Sequence, residues 1–429
     1  MDKSILPATK LNGRISLPAD KSIAQRAALF SLLVEGRSHI TNYPAAQDPQ
    51  TALRCIRQLG ADVSKNGKNV SITGTGRWNI KLPGDEIDCG NSGTIMRLLS
   101  GILAGSGVPA TLTGDDSLSA RPMKRIMDPL MQMGAGITSR KGGHPPLHIE
   151  RHRELVSIDF ELPMASAQLK SCVLLAGLFG KNPTRVIETV PSRNHTETML
   201  QLPVSRHGGR NIIPVSRDHP LIPLELSVPG DFSAAAFWLV AGSILKQSEI
   251  IMPGTGINAT RSGALQILRR MGAKIEVVDE RKTGGEPVAD IIVRSAELSA
   301  TEIKADEVPN AIDELPVLCV AMACADGVSK ITGAGELRYK ESDRLAAVEQ
   351  MLQNAGVHVE AEQDGLTIAG QPDQLFNSAR HYSHHDHRIA MSAAILALKA
   401  DGVSEIVDAD VAKVSYPEFW NHLDILSCR

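Results

Sequence analysis

The chain has 429 residues, of which 42% are apolar and 22% charged, the balance of a soluble globular protein with room for two full cores. A formal net charge of −3 supplies no bulk field for nucleic acid, and 3% aromatic content leaves few platforms on which bases could stack. The longest apolar stretch, Ala234 to Leu245, contains Gly242 and Ser243 and is too short to cross a bilayer, and Met1-Asp2-Lys3-Ser4 begins no signal-peptide core. Six cysteines at 55, 89, 172, 319, 324 and 428, with no CxxC pair, fit a reduced cytoplasmic protein with buried thiols.

From the N-terminus, strand-like residues Ile5 to Leu17 lead into a feature that recurs six times: a polar or glycine-containing turn opening a nearly all-apolar helix. Asp20-Lys21-Ser22 precedes Ile23 to Val34, Gly90-Asn91-Ser92-Gly93 precedes Thr94 to Leu103, and Ser166-Ala167-Gln168 precedes Leu169 to Leu178. Asp231-Phe232-Ser233 precedes Ala234 to Leu245, residues 310–313 precede Leu315 to Ala325, and Asp386-His387-Arg388 precedes Ile389 to Leu398. With markers at 22, 93, 166, 232, 312 and 387, the intervals run from 66 to 80 residues.

A second signal runs in phase with the first. Amphipathic helices stop at a glycine and pass into a β-like segment at Leu53–Gly60, Ile126–Gly134, Leu265–Gly272 and Val348–Gly356, with a degenerate copy at Glu197–Gly208 broken by Pro203. Alternating strands such as Asn69 to Thr73 follow most of them. Each unit thus holds an apolar helix, an amphipathic helix and several strands, an α/β (α+β) chain of six repeats. An all-apolar helix must be buried on every side. Six of them cannot share one core, which predicts two lobes of three repeats. The sixth repeat runs out of chain after a helix at Pro417–Leu426, so the N-terminal strands are expected to complete it. The lobes are then 19–228, and 1–18 plus 229–429, with the active site in the cleft between them.

A turn feeding a helix start leaves backbone N–H groups free beside the positive end of the helix dipole, which favours an anion. Simple capping accounts for the same turns, and both readings stand at this point. Cations near the turns favour the sharper one: Lys21, Arg26, Arg97, Arg121, Arg344, Arg388 and Lys413. The mixed-charge run Lys340-Glu341-Ser342-Asp343-Arg344 could equally be solvated surface. The histidines at 381, 384, 385 and 387 come without HExxH or Cys/His spacing, which argues against a metal.

Several of these stretches together are specific. Leu17-Pro18-Ala19-Asp20-Lys21-Ser22, GNSGTIMR at 90–97, Arg121-Pro122-Met123, Ser166-Ala167-Gln168, Leu337-Arg338-Tyr339-Lys340-Glu341-Ser342-Asp343-Arg344 and Asp386-His387-Arg388 resemble the motif set of the 5-enolpyruvylshikimate-3-phosphate synthases, in family order and across essentially the whole chain. Ser166-Ala167-Gln168 and Arg193-Asn194-His195-Thr196-Glu197 resemble the family's second class. The resemblance implies the two-lobed inverse α/β barrel of the enolpyruvyl transferases, six βαβαββ repeats with three per lobe. It also implies a transferase of the shikimate pathway that moves the enolpyruvyl group of phosphoenolpyruvate to the 5-hydroxyl of shikimate 3-phosphate. No metal or organic cofactor, no nucleic acid, no membrane and a monomeric cytoplasmic state go with it.

Carried over by position, the resemblance gives Lys21, Ser22 and Arg26 to shikimate 3-phosphate, with Lys21 also reaching phosphoenolpyruvate. Ser166 and Gln168 hold the shikimate phosphate region, with Ser192 or Arg193 as a helper. Asn91, Gly93 and Thr94 bring backbone close to phosphoenolpyruvate, and Arg121, Arg344, Arg388 and Lys413 bind its charged groups. Asp313 takes the hydroxyl proton and Lys340 sits beside that hydroxyl. Glu341 and Lys21 are the candidates for acid–base work at the enolpyruvyl group. Arg97 is left as structural support.

The chain departs from the family at Ala19, where glycine is usual, at Ala24-Gln25, and at Leu98, but none of these removes a charge. Two rivals remain in view. The sister transferase acting on UDP-N-acetylglucosamine places a reactive cysteine five residues before the Arg-Pro of its loop, and here that residue is Asp116. A ring-forming clamp on nucleic acid would want cations spread along its helices, not bunched at turns.

Overall fold

The computed structural model describes residues 1–152 and 154–427. Among these residues the strands form six small sheets, five of four strands and one of three. The five larger sheets share one plan: a parallel pair, then two antiparallel neighbours. In the first of them Glu225–Ser227 lies parallel to Glu35–Thr41, which pairs antiparallel with Asn69–Thr75, itself antiparallel to Asp62–Asn66. The N-terminal strands divide between two sheets. Lys3–Ile5 pairs with Ser404–Val407 in the three-stranded sheet, whereas Asn12–Arg14 runs parallel to Glu249–Gly256. Only the first of them therefore completes the last repeat.

Six helices form the buried layer, labelled here α1 (Lys21–Leu32), α2 (Gly93–Ser106), α3 (Ala167–Gly177), α4 (Phe232–Ile244), α5 (Leu315–Ala323) and α6 (His387–Ala397). In α4 all residues from Phe232 to Ser243 are buried, and in α5 every residue is. No polar stripe faces water, so their stability comes from packing on all sides. The chain divides into two compact units. One is Ala19–Pro229 with Lys282–Glu286, and the other is Met1–Pro18, Gly230–Arg281 and Pro287–Arg429. Each has its own apolar core, the first around α1, α2 and α3 and the second around α4, α5 and α6. In the first core α2 and α3 approach at backbone distance. A β-carbon on Gly101 would stand 2.2 Å from the Cys172 carbonyl oxygen, so only glycine fits there.

The helix starts differ in a way that matters for anions. Asp20, Asp231 and Asp386 cap α1, α4 and α6, each accepting from a backbone N–H of the first turn, while Ser92 and Ser166 cap α2 and α3. The α5 start has no side-chain cap, but Pro316 removes one of the orphan donors. An aspartate at the cap already offsets the helix dipole with a full negative charge. A serine does not. Among the helices with a side-chain cap, the dipole is thus left uncompensated at α2 and α3, whereas α1, α4 and α6 each start at an aspartate.

Candidate active site

In the 19–229 unit, α1 places Lys21 at its first position and Arg26 one turn later. Lys21 is partly exposed, with Asp48 at 3.7 Å. Arg26 is 3% exposed and spends its donors locally: Nε on Thr196 Oγ1 at 3.2 Å, Nη1 on the Ser22 carbonyl at 3.2 Å, and Nη2 on Ser171 Oγ at 3.4 Å. Burial pushes its pKa down to about 10, against the pull of Asp20 and Glu197, so it stays cationic at neutral pH. Gln25 ties α1 to the cap of α2 by donating to Ser92 Oγ at 3.2 Å.

Around the α2 start, Asn91 is held at both ends of its amide. It donates to Asp115 at 2.8 Å and accepts from Arg121 at 2.8 Å. Gln168, on α3, donates to Thr94 Oγ1 at 2.9 Å and accepts from Arg97. Arg97 is buried, and burial, reinforced by Arg125 and Arg121, pushes its pKa down to about 9. A β-carbon at Gly93 would lie 2.8 Å from Arg97 Nη1 and 3.7 Å from Arg121 Nη1. Asn91, Gly93, Thr94, Arg121 and Gln168 are thus brought together around one helix start. Ser166 caps the neighbouring helix α3, accepting from the Leu169 N–H at 3.4 Å.

In the 230–429 unit the expected residues Asp313, Glu341, Arg344 and Arg388 form a second cluster. Arg344 is 1% exposed. Its Nε donates to Asp386 at 2.7 Å and its Nη2 to Glu341 at 2.6 Å. Its Nη1 makes no hydrogen bond, and the Asp313 carboxylate lies 3.6 Å from it. Arg388 donates to the Asp313 carbonyl at 2.8 Å and stands 3.6 Å from its carboxylate. Burial is the largest influence on Glu341 and raises its pKa, but Arg344, His387 and a backbone hydrogen bond together bring the net direction down. Lys340 and Lys413 lie outside this hydrogen-bonded cluster. Lys340 pairs with Glu336, and Lys413, 61% exposed, pairs with Asp410 at 2.6 Å.

Three further residues belong to the second cluster. Arg261, 6% exposed, donates to Glu314 at 2.9 Å and to Ser233, and lies 3.9 Å from Asp313. Glu314 also accepts from Ser233 and lies 3.7 Å from Arg388. Arg261 lies just ahead of the amphipathic helix read at Leu265–Gly272, and nothing local to the sequence places it beside Asp313. The histidines of 381–387 serve separate ends. His384 meets Gln350, His385 meets Asp408, and burial pushes the pKa of His381 down to about 4.

These two constellations carry the family's motif residues, and comparison with known proteins gives the same reading. The family model described as EPSP synthase (3-phosphoshikimate 1-carboxyvinyltransferase) matches residues 5–423. The chain belongs to the EPSP synthase family. A 3-phosphoshikimate 1-carboxyvinyltransferase of Salinibacter ruber is 49% identical over 430 residues, covering 100% of both chains. One from Gloeobacter violaceus is 47% identical with 98% of each covered. The solved EPSP synthase of Acinetobacter baumannii superposes with a TM-score of 0.91 at 39% identity, over 99% of this chain and 98% of that one. The enolpyruvyl transferase NikO of Streptomyces tendae shares the fold, with a TM-score of 0.75 at 16% identity over 99% of this chain and 96% of that one. The fold is that of the enolpyruvyl transferases, and the chain is an enzyme of the 3-phosphoshikimate 1-carboxyvinyltransferase family.

Arg26 offers a direct check on the first constellation. Arg26→Ala should weaken shikimate 3-phosphate binding by about tenfold or more, the scale of a lost charge-assisted hydrogen bond, with less effect on phosphoenolpyruvate. Calorimetric titration of each substrate separates the two effects.

Proposed function

We propose that the two constellations supply one active site for transfer of the enolpyruvyl group of phosphoenolpyruvate to the 5-hydroxyl of shikimate 3-phosphate. The hydroxyl oxygen bonds to C2 of the enolpyruvate while a proton adds at C3, giving a tetrahedral phospho-ketal. Loss of phosphate and of one C3 proton then restores the double bond as the enolpyruvyl ether. Two proton carriers and clamps for two phosphates and two carboxylates are required. The ligands together bring about five to six negative charges.

Lys21, Ser22, Arg26, Ser166 and Gln168, helped by Ser192 or Arg193, take shikimate 3-phosphate. Asn91, Gly93, Thr94 and Arg121 take part of phosphoenolpyruvate, and Arg344, Arg388 and Lys413 the rest. Asp313 receives the hydroxyl proton with Lys340 beside it, and Glu341 and Lys21 serve C3 and the departing phosphate. The observation that supports this most is the cluster of Asp313, Glu341, Arg344 and Arg388. Arg344 holds Glu341 on Nη2 and leaves Nη1 without a hydrogen bond, so an arriving anion can share this guanidinium with Glu341. That sharing weakens the pull of the cation that favours the ionised Glu341 and helps it gain the proton it must give.

The sister reaction on UDP-N-acetylglucosamine lacks its cysteine here, since Asp116 begins the short helix Asp116–Ser119. Action as a monomer in the cytoplasm belongs to the same reading. It is supported by five cysteines that are free and buried, Cys428 lying outside the described residues. Alanine at Arg26 or at Arg388 tests the single-site reading, because each should depress phosphate release. If Arg388→Ala released phosphate at the normal rate at all substrate concentrations, the reading of one shared site would fail.

A further inference from the structure

Behind the first constellation lies a buried charged group that the reaction scheme does not use. Lys170 sits on α3, two residues after Gln168, and is 0% exposed. Its ammonium holds three acceptors: Glu188 Oε1 at 2.9 Å, Glu197 Oε1 at 2.7 Å and the Ser192 carbonyl at 3.2 Å. The same Glu188 oxygen also accepts from the Ser192 N–H and hydroxyl, both at 2.7 Å. Its other oxygen accepts from Asn211 at 3.3 Å.

Two carboxylates and an ammonium buried together are costly to desolvate, and apolar side chains of similar volume would stabilise the core as well or better. Such a group calls for a reason beyond stability. Its geometry supplies one. All three acceptors of Lys170 lie on residues 188–197, the segment that leaves strand Thr184–Glu188 and enters helix His195–Leu200. That segment contains Ser192 and Arg193. It also contains Thr196, which accepts from Arg26 and exchanges a hydrogen bond of 2.6 Å with Ser171. One ammonium therefore fastens the segment to the same turn of α3 that presents Ser166 and Gln168.

We propose that Lys170 is a positioning residue for shikimate 3-phosphate: it fixes the 188–197 segment against the start of α3, so that Ser192 and Arg193 meet the ligand in register with Ser166, Gln168 and Arg26. This rests on the proposed assignment of those residues to shikimate 3-phosphate. The role is indirect, since the Lys170 ammonium is turned wholly to protein acceptors. It predicts a defect confined to one substrate.

The test uses the full-length enzyme with Lys170→Met, Glu188→Gln, Glu188→Leu and the double variant Lys170→Met/Glu188→Leu. The readouts are calorimetric affinity for shikimate 3-phosphate, KM for each substrate, kcat and melting temperature. Lys170→Met should weaken shikimate 3-phosphate by about tenfold or more, the lower end of what one lost charge-assisted hydrogen bond is worth. The KM for phosphoenolpyruvate at saturating shikimate 3-phosphate should hardly move. Glu188→Gln keeps the acceptor oxygen for Ser192 and should bind nearly as the parent does, whereas Glu188→Leu should match Lys170→Met. The double variant, which removes a buried carboxylate along with its cation, should regain part of the melting temperature without regaining affinity.

Affinity recovering in step with stability in the double variant would show that Lys170 matters only for folding, and would overturn the proposal. So would a folded Lys170→Met with unchanged affinity. If Lys170→Met proves too unstable to assay, Glu188→Leu against Glu188→Gln decides the same question, equal affinities in the two counting against it. Arg193→Ala and Ser192→Ala separate the proposal from the reading beneath it. If neither alters affinity while Lys170→Met does, the assignment of the segment to the ligand has failed, not the link between Lys170 and substrate binding.

Discussion

Glu341→Gln is expected to lose about 10²–10⁴-fold in kcat, the usual contribution of a positioned proton carrier, with little change in the affinity for either substrate. Glutamine keeps the volume of the side chain and can still accept from Arg344 Nη2, which lies 2.6 Å from the Glu341 carboxylate. What it cannot do is carry a proton. The direction of the Glu341 pKa adds a sign to the pH dependence. Burial raises it, Arg344 is the strongest of the groups that lower it, and with His387 and a backbone hydrogen bond the net direction is below the ordinary 4.5 in the free protein. A ligand anion sharing Arg344 relaxes that downward pull and moves the pKa up. The pH limb due to Glu341 should therefore sit at low pH in kcat/KM, which reports the free enzyme. It should lie at higher pH in kcat, and should vanish from both in the glutamine variant. Pre-steady-state and pH-rate measurements check this, and full activity in Glu341→Gln would exclude the residue from proton transfer.

Asp386→Ala should produce the largest loss of stability at the site. The Asp386 carboxylate is 0% exposed and carries several tasks at once. It caps α6 by accepting from the Arg388 N–H at 2.9 Å, pairs with Arg344 Nε at 2.7 Å and accepts from Ser342 at 3.1 Å. Alanine removes the cap, about 1 kcal/mol. It also leaves the buried Arg344 guanidinium short of its main counter-charge, about 3–5 kcal/mol for a broken buried pair. Asp386→Asn keeps one acceptor oxygen, which can serve the cap where Oδ1 stood but sets an amide NH2 where Oδ2 met Arg344, so denaturant unfolding should place it between the parent and the alanine variant. Because Arg344 loses its anchor in both, KM for phosphoenolpyruvate should rise in both, and more in the alanine variant. Asn and Ala unfolding at the same denaturant concentration would mean that the cap contributes nothing.

The fold was legible because its signals are local. An apolar run such as Ala234 to Leu245 can only be a helix buried on every side, and six such runs at near-regular intervals require repeats. The helix starts were legible for the same reason, since Asp20, Ser92, Ser166, Asp231 and Asp386 each stand where a cap is needed. What the pattern could not show was the chemical difference among those caps. An aspartate and a serine both end a search for polar turns, yet one cancels the helix dipole and the other leaves it available.

The candidate site was legible through its motifs but not through its partners. Arg344 and Asp313 could be named from the sequence. Arg261 and Glu314, which brace Asp313 and Arg388, could not. Their pairing joins residues 53 apart, and no periodicity records it. The Lys170 group is hidden by the same cause. A lysine within the apolar helix Ala167–Gly177 is a local anomaly, but its meaning depends on Glu188 and Glu197, which only the tertiary structure brings to it.

Release of inorganic phosphate from phosphoenolpyruvate tests the central claim most directly, measured with shikimate 3-phosphate as acceptor and, in parallel, with UDP-N-acetylglucosamine. Phosphate should appear with shikimate 3-phosphate, in equal amount to the enolpyruvyl ether, and not with the nucleotide sugar. Release with the nucleotide sugar alone, or with neither acceptor, would contradict the assignment of this chain's reaction.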